Sequence, residues 1–391
     1  MNSAILNTDV QDFILENIDK PIHEIVLKGS PFKDVSVQEL ATQISVKKKC
    51  KNKLETWFNT PNIYYPNKMN IEQSSSEKTA LFKSNLVNGK NMIDLTGGFG
   101  VDDYFFSKQF DHVDHCEINE TLSTIASHNY KALKCENIKV HSGDGITVLR
   151  NQTTKYDLIY VDPSRRNNEK GKVFLLEDCL PVIPKHLDFL LEKSDRILLK
   201  VSPLLDIIGA LRELKFVSEI HVVAVQNEVK ELLFLIKKDW TKKVRISAIN
   251  ISRSSTQKFS FQLNDPAQAS FSKPLRYLYE PNAALLKAGA YNHLSAHFKL
   301  SKLHKNSHLF TAESLIDFPG RSFEIEHIMN YNKKEIKKLI PGNKANITTR
   351  NFKETVLQIR KKTGILDGGE LFLFFTTDLN EKQIVLLCKK V

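Results

Sequence analysis

Four acidic residues in the first half of the chain each follow a short apolar segment and could bind one ligand together: Asp94, Glu117, Asp144 and Asp162. The loop after the first acid is rich in glycine and reads Thr96-Gly97-Gly98-Phe99-Gly100. If each apolar segment is a strand of an open α/β sheet, the acids lie at strand carboxyl ends, where such sheets bind ligands. A glycine loop followed by three acids suits a cofactor that contains a nucleoside, and S-adenosylmethionine (SAM) fits this order best.

The contact that each residue could make with SAM follows from its chemistry. Gly98 and Gly100 let the backbone approach a ligand closely and adopt a positive φ, and Asp94 suits the ammonium group of the methionine moiety. Glu117 can accept hydrogen bonds from both ribose hydroxyls, and Asp144 can accept one from the adenine amino group. The predicted cofactor-binding residues are Asp94, Thr96, Gly97, Gly98, Phe99, Gly100, Glu117, Ile118, Asp144, Gly145 and Asp162.

A nicotinamide dinucleotide fits the same loop less well. Its pyrophosphate requires glycines at Gly-x-Gly-x-x-Gly spacing, which Gly97, Gly98 and Gly100 do not provide. An acid directly before the loop would also repel the phosphates.

The segment Asp162-Pro163-Ser164-Arg165-Arg166 follows the fourth predicted strand and is the predicted catalytic segment. Because proline restricts the backbone, the Asp162 carboxylate and the adjoining carbonyl could hold a nucleophile in line with a methyl group. Methyl transfer from a sulfonium needs positioning and at most one base. We therefore predict Asp162, Pro163 and Arg165 as catalytic residues. Arg165 and Arg166 could bind a phosphate of the substrate, the alternative being an ordinary surface pair.

The elements that must position these residues alternate between strands and helices. Strands are predicted near 91–95, 113–117, 138–141, 156–161, 196–201, 219–226 and 231–237, and helices over 101–109, 119–133, 174–191 and 204–214. This repeat predicts an α/β fold with a Rossmann-like, mostly parallel sheet. The last two strands are separated by only residues 227–230, too few for a crossover helix, so we predict that the last strand is antiparallel. Residues 1–70 are predicted to be helical, with a capping box at Ser36 and Glu39.

The C-terminal part of the chain carries the basic excess. Residues 241–391 hold 25 Lys and Arg against 12 Asp and Glu, whereas residues 1–240 hold 31 against 33. A basic module joined to a near-neutral one suggests an anionic macromolecular partner, nucleic acid first, and a solvated lysine-rich surface is the alternative. Its pattern of strands and helices predicts a small α+β module. The candidates for phosphate contacts are Lys333, Lys334, Lys337, Lys338, Arg350, Lys353, Arg360, Lys361 and Lys362.

Composition restricts the class of protein. Hydrophobic residues make up 41% of the 391 positions and charged residues 26%, as in soluble globular proteins. No apolar run approaches the roughly 20 residues of a membrane span. The five cysteines form no Cys-x-x-Cys pair and the 12 histidines show no metal-ligand spacing. We therefore expect a cytoplasmic protein without a metal site.

Several motifs resemble those of class I SAM-dependent methyltransferases that carry a THUMP-like C-terminal domain. They are Asp94-Leu-Thr-Gly-Gly-Phe-Gly100, Gly143-Asp-Gly145, Asp162-Pro-Ser-Arg-Arg166, Lys200-Val-Ser-Pro203, Asn227-Glu-Val-Lys-Glu-Leu-Leu233, Tyr279-Glu-Pro-Asn-Ala283, Phe318-Pro-Gly-Arg321 and Asn346-Ile-Thr-Thr-Arg-Asn351. The resemblance implies a helical region over 1–70, a methyltransferase core over 71–238, a ferredoxin-like segment over 239–317 and a THUMP-like domain over 318–391. Because THUMP domains bind RNA, it also implies an RNA substrate, either tRNA or rRNA.

The chain differs from one related group of methyltransferases in the motif that contacts the methylated base. Residues 72–80 resemble a segment of trimethylguanosine synthase-like enzymes, which methylate the exocyclic N2 of guanine. Such enzymes have Asp/Asn-Pro-Pro-aromatic, in which the aromatic ring stacks on the flipped base, whereas Ser164 and Arg165 stand there here. Thr96 also replaces the first glycine of the usual loop. Three functions stay open: an RNA methyltransferase, a methyltransferase for a small molecule or a protein, and a SAM- or RNA-binding protein without catalysis.

Overall fold

A computed structural model describes residues 1–165 and 175–391 and divides into two structural units. Unit 1 comprises Met1–Ile220 and Lys230–Lys242, and unit 2 comprises His221–Val229 and Lys243–Val391. Unit 1 contains 32 basic and 32 acidic residues, and unit 2 contains 24 and 13. Unit 2 therefore carries the whole formal net charge of +11.

Six helices form the N-terminal part of unit 1, as the sequence predicts. They are α1 (Thr8–Glu16), α2 (Ile22–Lys28), α3 (Val37–Lys53), α4 (Glu55–Asn59), α5 (Lys68–Gln73) and α6 (Glu77–Ser84), preceded by a 3-10 turn over Ser3–Leu6. Their apolar faces pack around the fully buried Trp57. At 17 residues, α3 is the longest described helix, and none of the described helices is long and apolar enough to cross a membrane.

The remaining elements of unit 1 alternate between strands and helices. They are β1 (Gly89–Asp94), α7 (Val101–Phe106), β2 (Phe110–Glu117), α8 (Glu120–Ala132), β3 (Ile138–Ser142), α9 (Gly145–Arg150), β4 (Leu158–Val161), β5 (Ser164–Arg165), β6 (Cys179–Leu180), α10 (Ile183–Lys193), β7 (Arg196–Val201), α11 (Ile207–Glu213), β8 (Val217–Val225) and β9 (Glu228–Lys237), with a 3-10 turn over Leu176–Asp178. The division between the units passes through β8 and the start of β9.

The sheet of unit 1 is mostly parallel. Strands β3, β2, β1, β4 and β7 lie side by side in that order and run parallel. All four residues of the central strand β4 are buried, as expected for a strand covered on both faces. Strand β9 runs antiparallel beside β7, with Arg196 opposite Lys237. Gln226 and Asn227, with φ of 53° and 63°, form the two-residue turn before β9. The predicted mostly parallel sheet with an antiparallel last strand is confirmed.

The prediction of a helix over 174–191 is wrong in its first half, and residue 174 lies outside the described residues. Helix α10 begins only at Ile183, and before it β6 pairs antiparallel with β5. Pro181 explains the late start, because proline cannot donate a helical hydrogen bond and disfavours helix at the residue before it. Helix α9 was not predicted, because six residues are too few to show a helical period.

Unit 2 is an α+β unit. Its elements are β10 (Arg245–Ile251), β11 (Thr256–Gln262), β12 (Ser270–Phe271), β13 (Tyr277–Pro281), α12 (Ala283–Ala288), α13 (Tyr291–Phe298), β14 (Ser301–Lys302), β15 (Phe310–Ala312), β16 (Gly320–Asn330), α14 (Lys333–Lys338), β17 (Asn346–Arg350), α15 (Val356–Thr363), β18 (Leu371–Thr377) and β19 (Gln383–Lys390), with a 3-10 turn over Pro341–Asn343. Strands β10 and β11 pair antiparallel, and eight strands form a sheet in the order β12-β14-β15-β13-β16-β19-β18-β17. The predicted domain limits at 70, 238 and 317 stay predictions.

The N-terminal cap of α3 provides a test of local stability. The Ser36 hydroxyl accepts from the Glu39 amide at 3.2 Å, and the Glu39 carboxylate accepts from the Ser36 amide at 2.9 Å, which confirms the predicted capping box. Ser36→Ala should lower the free energy of unfolding by about 1 kcal/mol, measured by urea unfolding followed by circular dichroism. Thr42→Ala, at a half-buried position in the interior of the same helix, should change it by less than about 0.5 kcal/mol. Equal effects of the two changes would contradict the capping role.

Candidate active site

The glycine loop has free space for a ligand beside Gly98, whereas the backbone at Gly145, next to the end of β1, is tightly packed. Gly98 has φ of +58°, and a Cβ there would meet no atom closer than the Thr96 carbonyl oxygen, 3.8 Å away. A Cβ on Gly145 would instead lie 2.3 Å from the Leu95 carbonyl oxygen, so only glycine lets α9 start against the end of β1. The loop thus has room for a ligand at Gly98.

Glu117 and Asp144 hold the backbone around this space. The two carboxylate oxygens of Glu117 accept from the amides of Gly98, at 2.9 Å, and Asn119, at 2.7 Å. One oxygen of Asp144 caps α9 by accepting from the amide and hydroxyl of Thr147, and its Oδ1 has no partner in the described part of the chain. Each carboxylate therefore keeps capacity to accept a hydrogen bond from a ligand. The side chain beside Glu117 is Ile118, 72% exposed, a large apolar surface next to these acceptors.

Thr96 joins the ends of β1 and β4. Its hydroxyl lies 3.0 Å from the Asp94 carboxylate, to which it donates, and it accepts from the Asp162 amide at 2.7 Å. The Asp94 carboxylate also accepts from the Thr96 amide at 2.7 Å. A glycine at this position would leave the Asp162 amide without this acceptor, so the departure from the usual loop has a structural reason.

Asp94 belongs to a fully buried polar cluster. Asp103 lies 2.6 Å from the His115 imidazole, which in turn lies 3.0 Å from the Tyr130 hydroxyl. Burial raises the pKa of both Asp94 and Asp103 well above their usual range and lowers the pKa of His115 to about 4. His115 is therefore neutral at pH 7. The predicted contact of Asp94 with an ammonium group stays a prediction, while its observed bonds support the loop.

Two buried lysines and three acids form an ion network at the carboxyl ends of β4 and β7. Lys83 of α6 is completely buried, and its Nζ lies 2.8 Å from Glu231 Oε2 and 3.1 Å from Asp102 Oδ1. Lys200, at the end of β7, is bonded to the Asp162 carboxylate. We call Lys83, Lys200, Asp102, Asp162 and Glu231 the buried ion network.

The opposite charges of the buried ion network counteract the effect of burial on the pKa values of its members. Burial opposes ionisation of Asp102, but Lys83 and Lys200 outweigh it and hold the pKa of Asp102 below its usual value. Burial would also lower the pKa of Lys200, but Asp162, Asp102 and Glu231 raise it above its usual value. Burial raises the pKa of Glu231 despite its contact with Lys83. Lys200 thus stays charged and holds one oxygen of Asp162, whose side chain is 34% exposed.

The structure brings together most of the predicted site residues of unit 1. Glu117 accepts from the Gly98 amide, Asp144 caps α9, and Thr96 connects the loop to Asp162. Phe99 is different, because its side chain is 4% exposed and packs on Trp57, leaving only its backbone at the loop. Arg165 is the second residue of β5, and Arg166 lies outside the described residues. That these residues together bind the cofactor and the methyl acceptor stays a prediction.

Sequence reasoning missed Lys83 and Glu231, which are 148 positions apart and have no local signal of their contact. It also missed Lys53 of α3, whose Nζ donates to the Ile71 carbonyl at 2.5 Å. Burial lowers the pKa of Lys53, and with the contributions of Lys200 and Lys230 it falls to about 8. The positive charge of Lys200 therefore acts on a residue of the N-terminal helices.

The predicted phosphate contacts lie in unit 2, and three of them come together. Lys333 at the start of α14 and Lys361 and Lys362 at the end of α15 line one surface pocket with Tyr331 and Thr363. We call these three side chains the lysine cluster. Lys334, Lys337, Lys338 and Lys353 are exposed outside it. Arg360 is only 19% exposed and is bonded to Asp367 and to the carbonyls of Ile365 and Ala345, so its donors serve the loop after α15.

Over residues 1–165 and 175–391, no three His, Cys, Asp or Glu side chains are grouped as a metal site would require. The five cysteines are all free and buried.

Comparison with known proteins identifies two families in the C-terminal part of the chain. Residues 277–319 match a ferredoxin-like domain family, and residues 320–390 match a THUMP domain-like family. The crystal structure of a proposed methyltransferase from Porphyromonas gingivalis W83 is similar over 100% of this chain and 98% of its own, with 32% identity and a TM-score of 0.90.

Other solved structures resemble only part of the chain. An rRNA methylase from Streptococcus thermophilus is 14% identical, with a TM-score of 0.29 over 41% of this chain and 94% of its own. A proposed methyltransferase from Streptococcus mutans, solved with S-adenosylhomocysteine (SAH), is 15% identical, with a TM-score of 0.31 over 41% and 96%. Neither score supports an inference about this chain. No curated protein sequence matches it significantly.

The buried ion network makes a stability prediction. Lys83→Met leaves Asp102 and Glu231 buried without this cation, which should lower the free energy of unfolding by about 3–5 kcal/mol. Lys215→Met in the same unit removes a pair with Asp188 whose side chains are 66% and 80% exposed, and should cost at most about 1 kcal/mol. Denaturant unfolding of both variants gives the comparison. A loss of less than about 1 kcal/mol for Lys83→Met would mean that the network does not stabilise unit 1.

Proposed function

Because this chain belongs to the family of class I SAM-dependent methyltransferases that carry a THUMP-like C-terminal domain, we propose that it transfers a methyl group from SAM to RNA, either tRNA or rRNA. The observation that carries the catalytic half is the position of Gly98, Glu117, Asp144 and Asp162, which follow β1, β2, β3 and β4 at one edge of a parallel sheet. The observation that carries the RNA half is that unit 2 holds the entire net charge.

The residues around the loop fit SAM. Glu117 can accept from the ribose hydroxyls, since each of its oxygens accepts one backbone amide of the described residues and can accept a second hydrogen bond. Asp144 Oδ1 can accept from the adenine amino group, and the exposed Ile118 can pack on the adenine ring. Gly98 lets the backbone approach the ligand. SAM, when bound, supplies an electrophilic methyl group on a sulfonium.

Asp162 holds the acceptor beside that methyl group. Thr96 bonds its amide and Lys200 holds one carboxylate oxygen, so the side chain has a fixed direction. Its Oδ1 has no partner among the described residues and can accept a hydrogen bond from the nucleophile. Pro163 restricts the backbone next to it, and the predicted role of Arg165 is a phosphate contact.

The lysine cluster holds the RNA backbone. Three ammonium groups at one pocket can contact phosphates without reading the bases, which positions an RNA but does not select its sequence. The Tyr331 ring in the same pocket offers a surface on which a base could stack.

Substitution of Glu117 tests the cofactor site. Glu117→Gln removes the charge from an acceptor of ribose hydroxyls, so affinity for SAM should fall by about 10- to 100-fold, measured by isothermal titration calorimetry. Glu120→Gln, three positions later on the exposed first turn of α8, should leave the affinity unchanged. A wild-type protein that binds no SAM would overturn the proposal, and equal affinities of both variants would remove Glu117 from the site.

Transfer of label tests the reaction and the lysine cluster together. Purified protein, tritiated SAM and RNA from cells lacking its gene should yield a labelled nucleoside, identified by mass spectrometry. The triple variant Lys333→Gln, Lys361→Gln, Lys362→Gln should bind RNA with a salt slope reduced by about 2–3, because each lost phosphate contact removes roughly 0.7–0.9. The triple variant Lys28→Gln, Lys131→Gln, Lys185→Gln, on exposed positions of unit 1, should bind as the wild type does.

The outcomes separate the candidate functions. Label in protein or in small molecules but not in RNA would favour a methyltransferase that acts on a protein or a small molecule. SAM binding without label in any fraction would favour a binding protein.

A further inference from the structure

Three of the motifs that the methyltransferase site does not use meet at one carboxylate in unit 2. Glu280 lies on β13, Arg321 lies at the start of β16, and Arg350 ends β17. Arg321 Nε donates to Glu280 Oε2 at 2.8 Å and its Nη2 bonds the same oxygen, while Arg350 Nη2 donates to Oε1 at 2.9 Å. The Glu280 side chain is 4% exposed, so it is a fixed, buried anchor for two guanidinium groups, which we call the arginine pair.

The arginine pair carries more positive charge than its anchor neutralises. Two guanidinium groups share one carboxylate, which leaves one surplus positive charge. Burial, Lys302 and Arg350 together lower the pKa of His308 to about 4, so His308 is neutral at pH 7. Lys302 is itself buried, and its Nζ donates to the Lys305 carbonyl at 2.9 Å. It lies 5.6 Å from the centre of the Tyr291 ring, which stacks on His308 with 3.6 Å between ring centres.

The arginine pair also has donors that the protein does not use. Arg350 Nε is buried and has no hydrogen-bond partner among the described residues. The Arg321 and Arg350 side chains are 39% and 35% exposed, so their outer edges are accessible to a ligand. Glu280 holds both guanidinium groups in place, and their remaining N–H groups could donate to phosphate oxygens.

We propose that Arg321 and Arg350, oriented by Glu280, form a binding site for a backbone phosphate of RNA. The proposal rests on the proposed function and adds a phosphate contact built from residues other than the lysine cluster. Nucleic acid is the favoured source of the phosphate because the site lies in the unit that carries all the net charge, and an extended polyanion can contact many of those charges at once.

Chemical protection of the wild-type protein tests the site without any change of sequence. Phenylglyoxal modifies accessible arginines, and mass spectrometry measures the extent at each position with and without total bacterial tRNA. Arg321 and Arg350 should be protected by tRNA. Arg276, an exposed arginine of unit 2 paired with Glu324 at 3.0 Å, should be modified equally in both samples.

Substitution gives a second, quantitative test. Arg321→Gln and Arg350→Gln should each reduce the slope of log affinity for tRNA against log salt by about 0.7–0.9, whereas Arg276→Gln should leave it unchanged. Arg350→Lys, which keeps the ion pair with Glu280, should keep the slope but weaken binding several-fold, because the planar guanidinium is lost. Circular dichroism melting of each variant shows whether it is folded.

Two results would overturn the proposal in different ways. If the wild type binds tRNA but Arg321 and Arg350 are not protected and their variants match Arg276→Gln, the arginine pair only fastens β13, β16 and β17 together. If the wild type binds neither tRNA nor rRNA, the proposed RNA substrate fails and this site fails with it.

Discussion

A lysine without access to solvent organises the catalytic half of this protein. Lys83 is completely buried, and such a charge is tolerated only where carboxylates surround it. Glu231 and Asp102 meet this requirement, which ties α6 to β9 and to the start of α7. Lys200 extends the same network to Asp162. Because buried ions lose much of their stabilisation when displaced, the network holds the carboxyl edge of the sheet in one arrangement, as a preorganised site requires.

The hydroxyl of Thr96 connects this network to the glycine loop. It bonds the Asp94 carboxylate and the Asp162 amide, so the loop that would face a cofactor and the residue that would face the acceptor share one side chain. A displacement at either end is therefore transmitted to the other. The same contact explains how the fold accommodates a residue other than glycine at the start of the loop.

Charge is divided between the two units. Unit 1 is neutral, and unit 2 carries +11. Positive potential on one unit steers a polyanion toward it and supplies affinity that depends on salt rather than on base sequence. Within unit 2, the lysine cluster and the arginine pair are the two proposed sites of phosphate contact, and their geometries differ. One consists of ammonium groups around an open pocket, and the other consists of guanidinium groups held by a buried carboxylate.

The sequence by itself determined the alternation of strands and helices, the antiparallel last strand, the acids at strand ends and the basic character of the C-terminal part. These features depend on local periodicity, on connection length and on composition, all of which a single chain displays. The late start of α10 escaped because the effect of Pro181 was not weighed, and α9 and the short strands of unit 2 escaped because they are too brief to show a clear period. Only the tertiary structure decided that Lys83 meets Glu231 and that Arg321 and Arg350 share Glu280, residues separated by 148, 41 and 70 positions. The partner of a buried charge is chosen by the packing of distant elements, and no local pattern encodes that packing.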